Sequence, residues 1–151
     1  RVPKSRSELS HMTSFEVVTT PPNLARAHAL ARALIDASGL DEDAAAGYLA
    51  ALKEALDNAA RHAHAGSPGK RCTVHFLLDA GKATFIVQDE GPGFDHAFYT
   101  AQLADEDAYV RARRAKAEGK QGGLGILLMH KNCDRLAYEG NGSILRLEKK
   151  L

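Results

Sequence analysis

The spacing of hydrophobic and polar positions changes several times along the chain, and each change marks an element. Phe15 to Thr20 is aromatic and β-branched, which predicts a short strand closed by Pro21-Pro22. Asn23 is a candidate N-cap. Leu24, Ala27, His28, Leu30, Ala31, Leu34 and Ile35 then recur at helical spacing, and Gly39 ends that helix. Asp41 caps a second, longer helix. Its apolar stripe runs Leu49, Leu52, Leu56, Ala59/Ala60 and Ala63, and the run Gly66-Ser67-Pro68-Gly69 breaks it. Arg71 to Leu78 and Ala83 to Asp89 read as two strands joined at Gly81 in a hairpin. Glu90-Gly91-Pro92-Gly93 is turn chemistry. His96 to Gly119 is polar and expected to be helical in part. An apolar helix follows from Ile126 to Asn132. Strands Arg135 to Tyr138 and Ser143 to Glu148 close the chain, joined by Gly140-Asn141-Gly142. The order β-α-α-β-β-α-α-β-β predicts an α/β two-layer sandwich: a mixed, mostly antiparallel sheet with helices on one face.

Composition narrows the class. A chain of 151 residues is one domain, large enough for a real core. With 44% hydrophobic and 26% charged residues, it is neither disordered nor collagen-like. Lys and Arg total 20 against 19 Asp and Glu, so no global field drives nucleic-acid binding. No apolar run approaches the ~18 residues of a membrane span. Two cysteines, Cys72 and Cys133, do not make a disulfide framework, and no signal segment opens the chain. A cytoplasmic location is therefore expected. Ser10-His11-Met12 looks like the scar of an expression vector. Residues 1–11 are accordingly expected to be a vector-derived tail, with the domain at 12–151.

Three local patterns could carry chemistry. The first is Glu54-Ala55-Leu56-Asp57-Asn58. With Leu52 at the centre of the buried stripe, Glu54 and Asn58 fall on the opposite side of the helix, one above the other. A carboxylate can accept a hydroxyl proton or orient a water, and a carboxamide oxygen can ligate a hard cation such as Mg²⁺. The second is Asp89-Glu90-Gly91-Pro92-Gly93-Phe94. Asp89 ends the strand row Ala83, Phe85, Val87, where a carboxylate needs a partner such as a ligand amino group. Gly91 and Gly93 let backbone approach a flat ligand. The third is Gly122-Gly123-Leu124-Gly125 opening a helix, with Lys120 just upstream. Unpaired N–H groups and a positive dipole end suit phosphate there. Each pattern alone also fits a solvated helix face, a capped turn or a flexible connection.

In this order and spacing, the three resemble the N, G1 and G2 boxes of the ATPase fold shared by histidine kinases, gyrase B, the Hsp90 chaperones and MutL. The stretches EALDNAARHAHAG, VQDEGPGFD and GGLGILLMHKNCDRLAYEGNGSILRLEK look most like the bacterial anti-sigma factor serine-protein kinases. The likeness runs from about Phe15 to the C-terminus and implies a Bergerat-type ATP-binding fold with ATP and Mg²⁺ as cofactors. By resemblance, Glu54 is the catalytic glutamate and Asn58 the Mg²⁺-holding asparagine. Asp89 receives the adenine amino hydrogen, with Gly91 and Gly93 beside the ring. Gly123, Leu124 and Gly125 form the phosphate end of a lid covering about residues 96–122. The implied activity is phosphorylation of a Ser/Thr on an anti-sigma-factor antagonist, with sequestration of a sigma factor. A homodimer is implied in the same way. The chain departs from the pattern in a long lid with a dense basic cluster, Arg111 to Lys120. Where members often carry a γ-phosphate arginine near the lid glycines, only Lys120, or Arg113 and Arg114 from further away, stands here.

Two other functions fit the same residues. One is a nucleotide-binding module that holds a partner with little or no phosphotransfer. The other is a detached histidine-kinase catalytic domain. His62 and His64 lack the i, i+4 spacing of a helical metal pair. His130 on an apolar helix reads as a packed histidine, and the cysteines as small buried hydrophobes.

Overall fold

The computed structural model describes residues 12–63, 70–79, 81–90 and 124–151. Strand β1 (Met12–Val18) leads into helix α1 (Pro21–Asp36) and helix α2 (Glu42–Asn58), which runs on into a π-helical turn (Ala59–Ala63). Strands β2 (Arg71–Asp79) and β3 (Lys82–Gln88) follow, then helix α3 (Leu124–Asn132) and strands β4 (Arg135–Glu139) and β5 (Ile144–Lys150).

Local chemistry explains most boundaries. Thr20 is the extended N-cap of α1 with Pro21 in the first turn, where the missing N–H costs nothing. The N-cap therefore falls at Thr20, three residues before the expected N-cap Asn23. It ends where the Ser38 hydroxyl donates to the Ile35 carbonyl at 2.6 Å and Gly39 turns to φ 85°. At the head of α2 the Asp41 side chain accepts the Ala44 N–H at 3.1 Å, and Glu42 and Asp43 complement the helix dipole.

The five strands pair in the order β1-β2-β3-β5-β4, and all four pairings are antiparallel. β1 starts at Met12 rather than Phe15 because it pairs along its whole length with β2, from Met12 opposite Leu77 to Val18 opposite Arg71. The core lies between one sheet face and the helices. It joins Val74, Phe76, Phe85 and Leu147 from the strands to Ala31 and Ile35 of α1, Leu49, Leu52 and Leu56 of α2 and Met129 of α3. On the other face Glu148 is buried among three cations: Lys82 at 3.1 Å, Arg146 at 3.5 Å and Arg135 at 3.8 Å. A buried carboxylate is tolerable only with such partners.

Among the described residues, a buried hydroxyl joins helix to sheet across the core. Tyr48, fully buried on α2, donates its hydroxyl to the Leu147 carbonyl at 2.7 Å and accepts the Phe85 N–H at 3.1 Å. Its ring packs 5.4 Å from that of Phe85. Burial pushes the Tyr48 phenol well above its ordinary pKa, so it stays a neutral donor. Tyr48→Phe keeps the ring and removes the hydrogen bonds of the hydroxyl to β3 and β5. It is expected to lower stability by about 0.5–1.5 kcal/mol, read as a lower denaturant midpoint at unchanged slope. A change below about 0.5 kcal/mol, the scale of an ordinary surface substitution, would show that the hydroxyl does not hold α2 to the sheet.

Candidate functional site

The site grows from α2. Its buried stripe, Ala45, Leu49, Leu52, Leu56 and Ala59, faces the core. At ~100° per residue this leaves Glu54 and Asn58 together on another face. Neither is fully exposed, because α3 lies along that face. Two bare glycines allow the approach. A Cβ built on Gly47 of α2 would stand 2.6 Å from Asn132 Oδ1 of α3. One built on Gly125 of α3 would stand 2.8 Å from Glu54 Oε2 and 3.7 Å from Asn58 Nδ2. Rising numbers on α2 meet falling numbers on α3, so the helices run antiparallel. The first turn of α3 therefore abuts the Glu54 carboxylate. Backbone N–H groups in a first helical turn lack intrahelical partners and carry the positive end of the dipole, which favours an anionic neighbour.

The structure thus brings Glu54, Asn58 and Gly125 together. Asn58 also accepts a hydrogen bond from Arg61 Nη2 at 3.4 Å, inside the π-helical turn. Lys53 and Asp57, on the neighbouring face of α2, pair at 2.8 Å. Hydrogen bonding and charge from Asp57 raise the Lys53 ammonium pKa.

Asp89 leaves the end of β3 half-buried, beyond the buried row Ala83, Phe85 and Val87. Its backbone N–H donates to the Ser143 carbonyl at 2.9 Å. The next residue is anchored as well: Glu90 accepts the Arg71 N–H on its carboxylate at 2.7 Å and Lys70 Nζ on its carbonyl at 3.2 Å. Burial, with the nearby Asp89 and Glu90 carboxylates, pushes the Cys72 thiol up to about 12. Burial pushes Cys133 to about 12 as well, so neither thiol is an activated nucleophile. His130 is half-buried on α3, and burial lowers its pKa, as for a packed neutral imidazole. Gly91, Gly93, Lys120, Gly123, the lid at residues 96–122, the His64 position and the tail 1–11 lie outside the described residues, as do the side chains of His62 and Leu124.

The residues present suit the groups that the sequence pattern implies. Glu54 and Asn58 offer hard oxygens. Gly125 lets α3 close on them, since a Cβ there would stand only 2.8 Å from Glu54 Oε2. Among the described residues no three His, Cys, Asp or Glu side chains cluster as a metal cage. Mg²⁺ does not need one, because it binds through one or two protein oxygens plus phosphate and water. A separate groove of about 440 Å³ runs between α1 and α2, lined by Pro21, Leu24, Ala25, His28, Lys53, Leu56 and Asp57. It contains none of Glu54, Asn58, Asp89 or Gly125.

Sequence reading missed three residues. Arg61 was detectable at i+3 from Asn58, the spacing of neighbours on a helix surface. Tyr48 and Gly47 carry no local signal of their partners, which lie far along the chain. Gly125→Ala puts a methyl 2.8 Å from Glu54 Oε2, so the carboxylate must shift. If the site takes the nucleotide that the sequence pattern implies, nucleotide affinity by calorimetry is expected to fall about tenfold or more, equivalent to about 1.4 kcal/mol. Stability should change by less than about 1 kcal/mol, because a flexible carboxylate can move and alanine favours the helix. Undiminished affinity would place the ligand away from the α2–α3 junction.

Comparison with known proteins adds the lineage. The serine-protein kinase RsbW of Bacillus pumilus (strain SAFR-032) is 30% identical over 96 residues, which cover 62% of this chain and 57% of the relative. The matched region thus spans little more than half of that relative's length. The histidine kinase-like ATPase domain matches residues 17–149, from the end of β1 to within β5. A match of that extent, on a five-stranded antiparallel sheet with helices on one face, places the chain in the histidine kinase-like ATPase domain family.

Proposed function

We propose that this domain binds Mg-ATP and phosphorylates a serine or threonine of an anti-sigma-factor antagonist, and sequesters a sigma factor while the antagonist is phosphorylated. One observation carries the reading: Glu54 and Asn58 stand side by side against the bare Gly125 at the start of α3. The name of the serine-protein kinase RsbW supports the choice of acceptor.

Each residue then has a task. Asp89 accepts the adenine amino hydrogen, with Gly91 and Gly93 beside the ring. The first turn of α3, with Gly123, Leu124 and Gly125, receives phosphate oxygens, and Lys120 adds a cation. Asn58 offers Oδ1 to Mg²⁺. A Mg²⁺ held there would supply charge neutralisation for the phosphates. Glu54 holds the acceptor hydroxyl and takes its proton as the hydroxyl oxygen bonds to the γ-phosphorus. The bond from that phosphorus to the β–γ bridging oxygen breaks, and ADP leaves. Positioning and charge neutralisation supply most of the rate in such transfers.

Glu54→Ala is expected to retain ATP binding and to lose at least about 100-fold in transfer rate, the scale of a general base. The assay follows radiolabel from ATP onto a purified antagonist protein. Acid-stable label on serine or threonine supports the reading. Undiminished transfer by the variant would contradict the role of Glu54. Acid-labile label would instead mark a histidine kinase. ATP binding with no label on any partner would mark a sequestering module without transfer.

A further inference from the structure

Arg61 lies beside Asn58 and has no task in the function proposed above. It stands three residues past Asn58, in the π-helical turn Ala59–Ala63 that extends α2. Single-turn π segments in helices occur frequently at functional sites. The Arg61 Nη2 donates to Asn58 Oδ1 at 3.4 Å. A guanidinium has donors and no acceptor, so of the two amide atoms it can bond only the oxygen. That sets the orientation of the carboxamide. Oδ1 faces Arg61, and Nδ2 is the Asn58 atom nearest Gly125, 3.7 Å from where a Cβ would stand.

A divalent cation needs the reverse. Mg²⁺ takes oxygen ligands and is repelled by a neighbouring guanidinium. The one Asn58 atom able to ligate it already serves another cation. The Asn58 NH₂ group, which lies toward Gly125 and Glu54, cannot be a ligand.

We propose that Arg61 is a positioning residue that competes with the divalent metal for Asn58 Oδ1, and so sets the Mg²⁺ concentration at which the domain takes up nucleotide. This rests on the reading of Asn58 as the metal-holding residue. Ligation requires Arg61 to release the oxygen and the amide to turn it toward the phosphates. Arg61 is exposed and its hydrogen bond is long, so the competition is weak. It tunes the metal requirement without blocking the site. Free nucleotide and Mg-nucleotide are thereby distinguished before any chemistry occurs.

The test titrates Mg²⁺ at fixed concentration of a fluorescent ATP analogue and reads binding, not turnover. The proteins are the full chain and its Arg61→Ala, Arg61→Lys and Arg32→Ala variants. Arg32 is exposed on α1 and controls for the change in net charge. Arg61→Ala is expected to lower the half-saturating Mg²⁺ concentration about threefold, in keeping with a weak exposed contact. Its nucleotide affinity at saturating Mg²⁺ should not improve. Arg61→Lys, which keeps the charge but loses the planar fork, should fall between. Arg32→Ala should match the parent chain. An unchanged or higher Mg²⁺ midpoint in Arg61→Ala overturns the proposal, and so does an equal drop in Arg32→Ala. Absence of nucleotide binding by the parent chain at every Mg²⁺ concentration overturns the nucleotide reading itself, and this inference with it. Binding with an unmoved midpoint overturns this inference alone.

Discussion

The Tyr48 hydroxyl is the fixed point of the molecule. A helix lying on a sheet through apolar contacts alone can slide or rotate at modest cost, because apolar packing has little directionality. A buried hydroxyl that donates to Leu147 on β5 and accepts from Phe85 on β3 removes that freedom. Moving α2 would take the buried Tyr48 hydroxyl from its partners, and an unsatisfied buried polar group costs more than its hydrogen bond contributes. Glu54 and Asn58 lie on the same helix, between one and three turns further on, so their placement relative to the sheet inherits this constraint.

The second element of the design is the seam between α2 and α3. Gly47 and Gly125 lie at its two ends, each meeting a polar side chain of the facing helix, Asn132 and Glu54. The helices are thus close where a ligand with phosphate groups would need them close. At one end, the start of α3 meets the acidic and amide groups of α2. Polar side chains there are kept from full solvation, which strengthens their interaction with charge. The Lys53–Asp57 pair on the adjacent face is an i, i+4 ion pair whose charges offset each other beside Glu54 and Asn58.

Much of this was legible in the chain. The Asp41 cap, the α2 stripe and the β2–β3 hairpin followed from periodicity and turn residues, which act locally. The placement of β5 beside β3 did not, since strand order is set by packing between distant segments. Pro21-Pro22 was legible as a strand terminator but also begins α1, because proline suits a first helical turn as well as a break. The α-helical hydrogen bonding was expected to reach Ala63, yet it gives way to a π-helical turn after Asn58, with no glycine or proline to announce it. At the site, the co-facial Glu54 and Asn58 were readable from helical spacing. Their meeting with Gly125 was not readable from spacing, since 66 residues of chain separate Asn58 from it. Only the ordered resemblance to known ATPases connected them.

The central claim is that these elements together form a nucleotide site with Asp89 at its adenine end. Thermal unfolding with and without Mg-ATP, on the parent chain and on Asp89→Asn, tests it most directly. Ligand at 100 times its Kd should stabilise the parent chain by about 2.7 kcal/mol, and the variant should show little or none of that shift at the same concentration. No shift in the parent chain at millimolar Mg-ATP, or an equal shift in both proteins, would contradict the account.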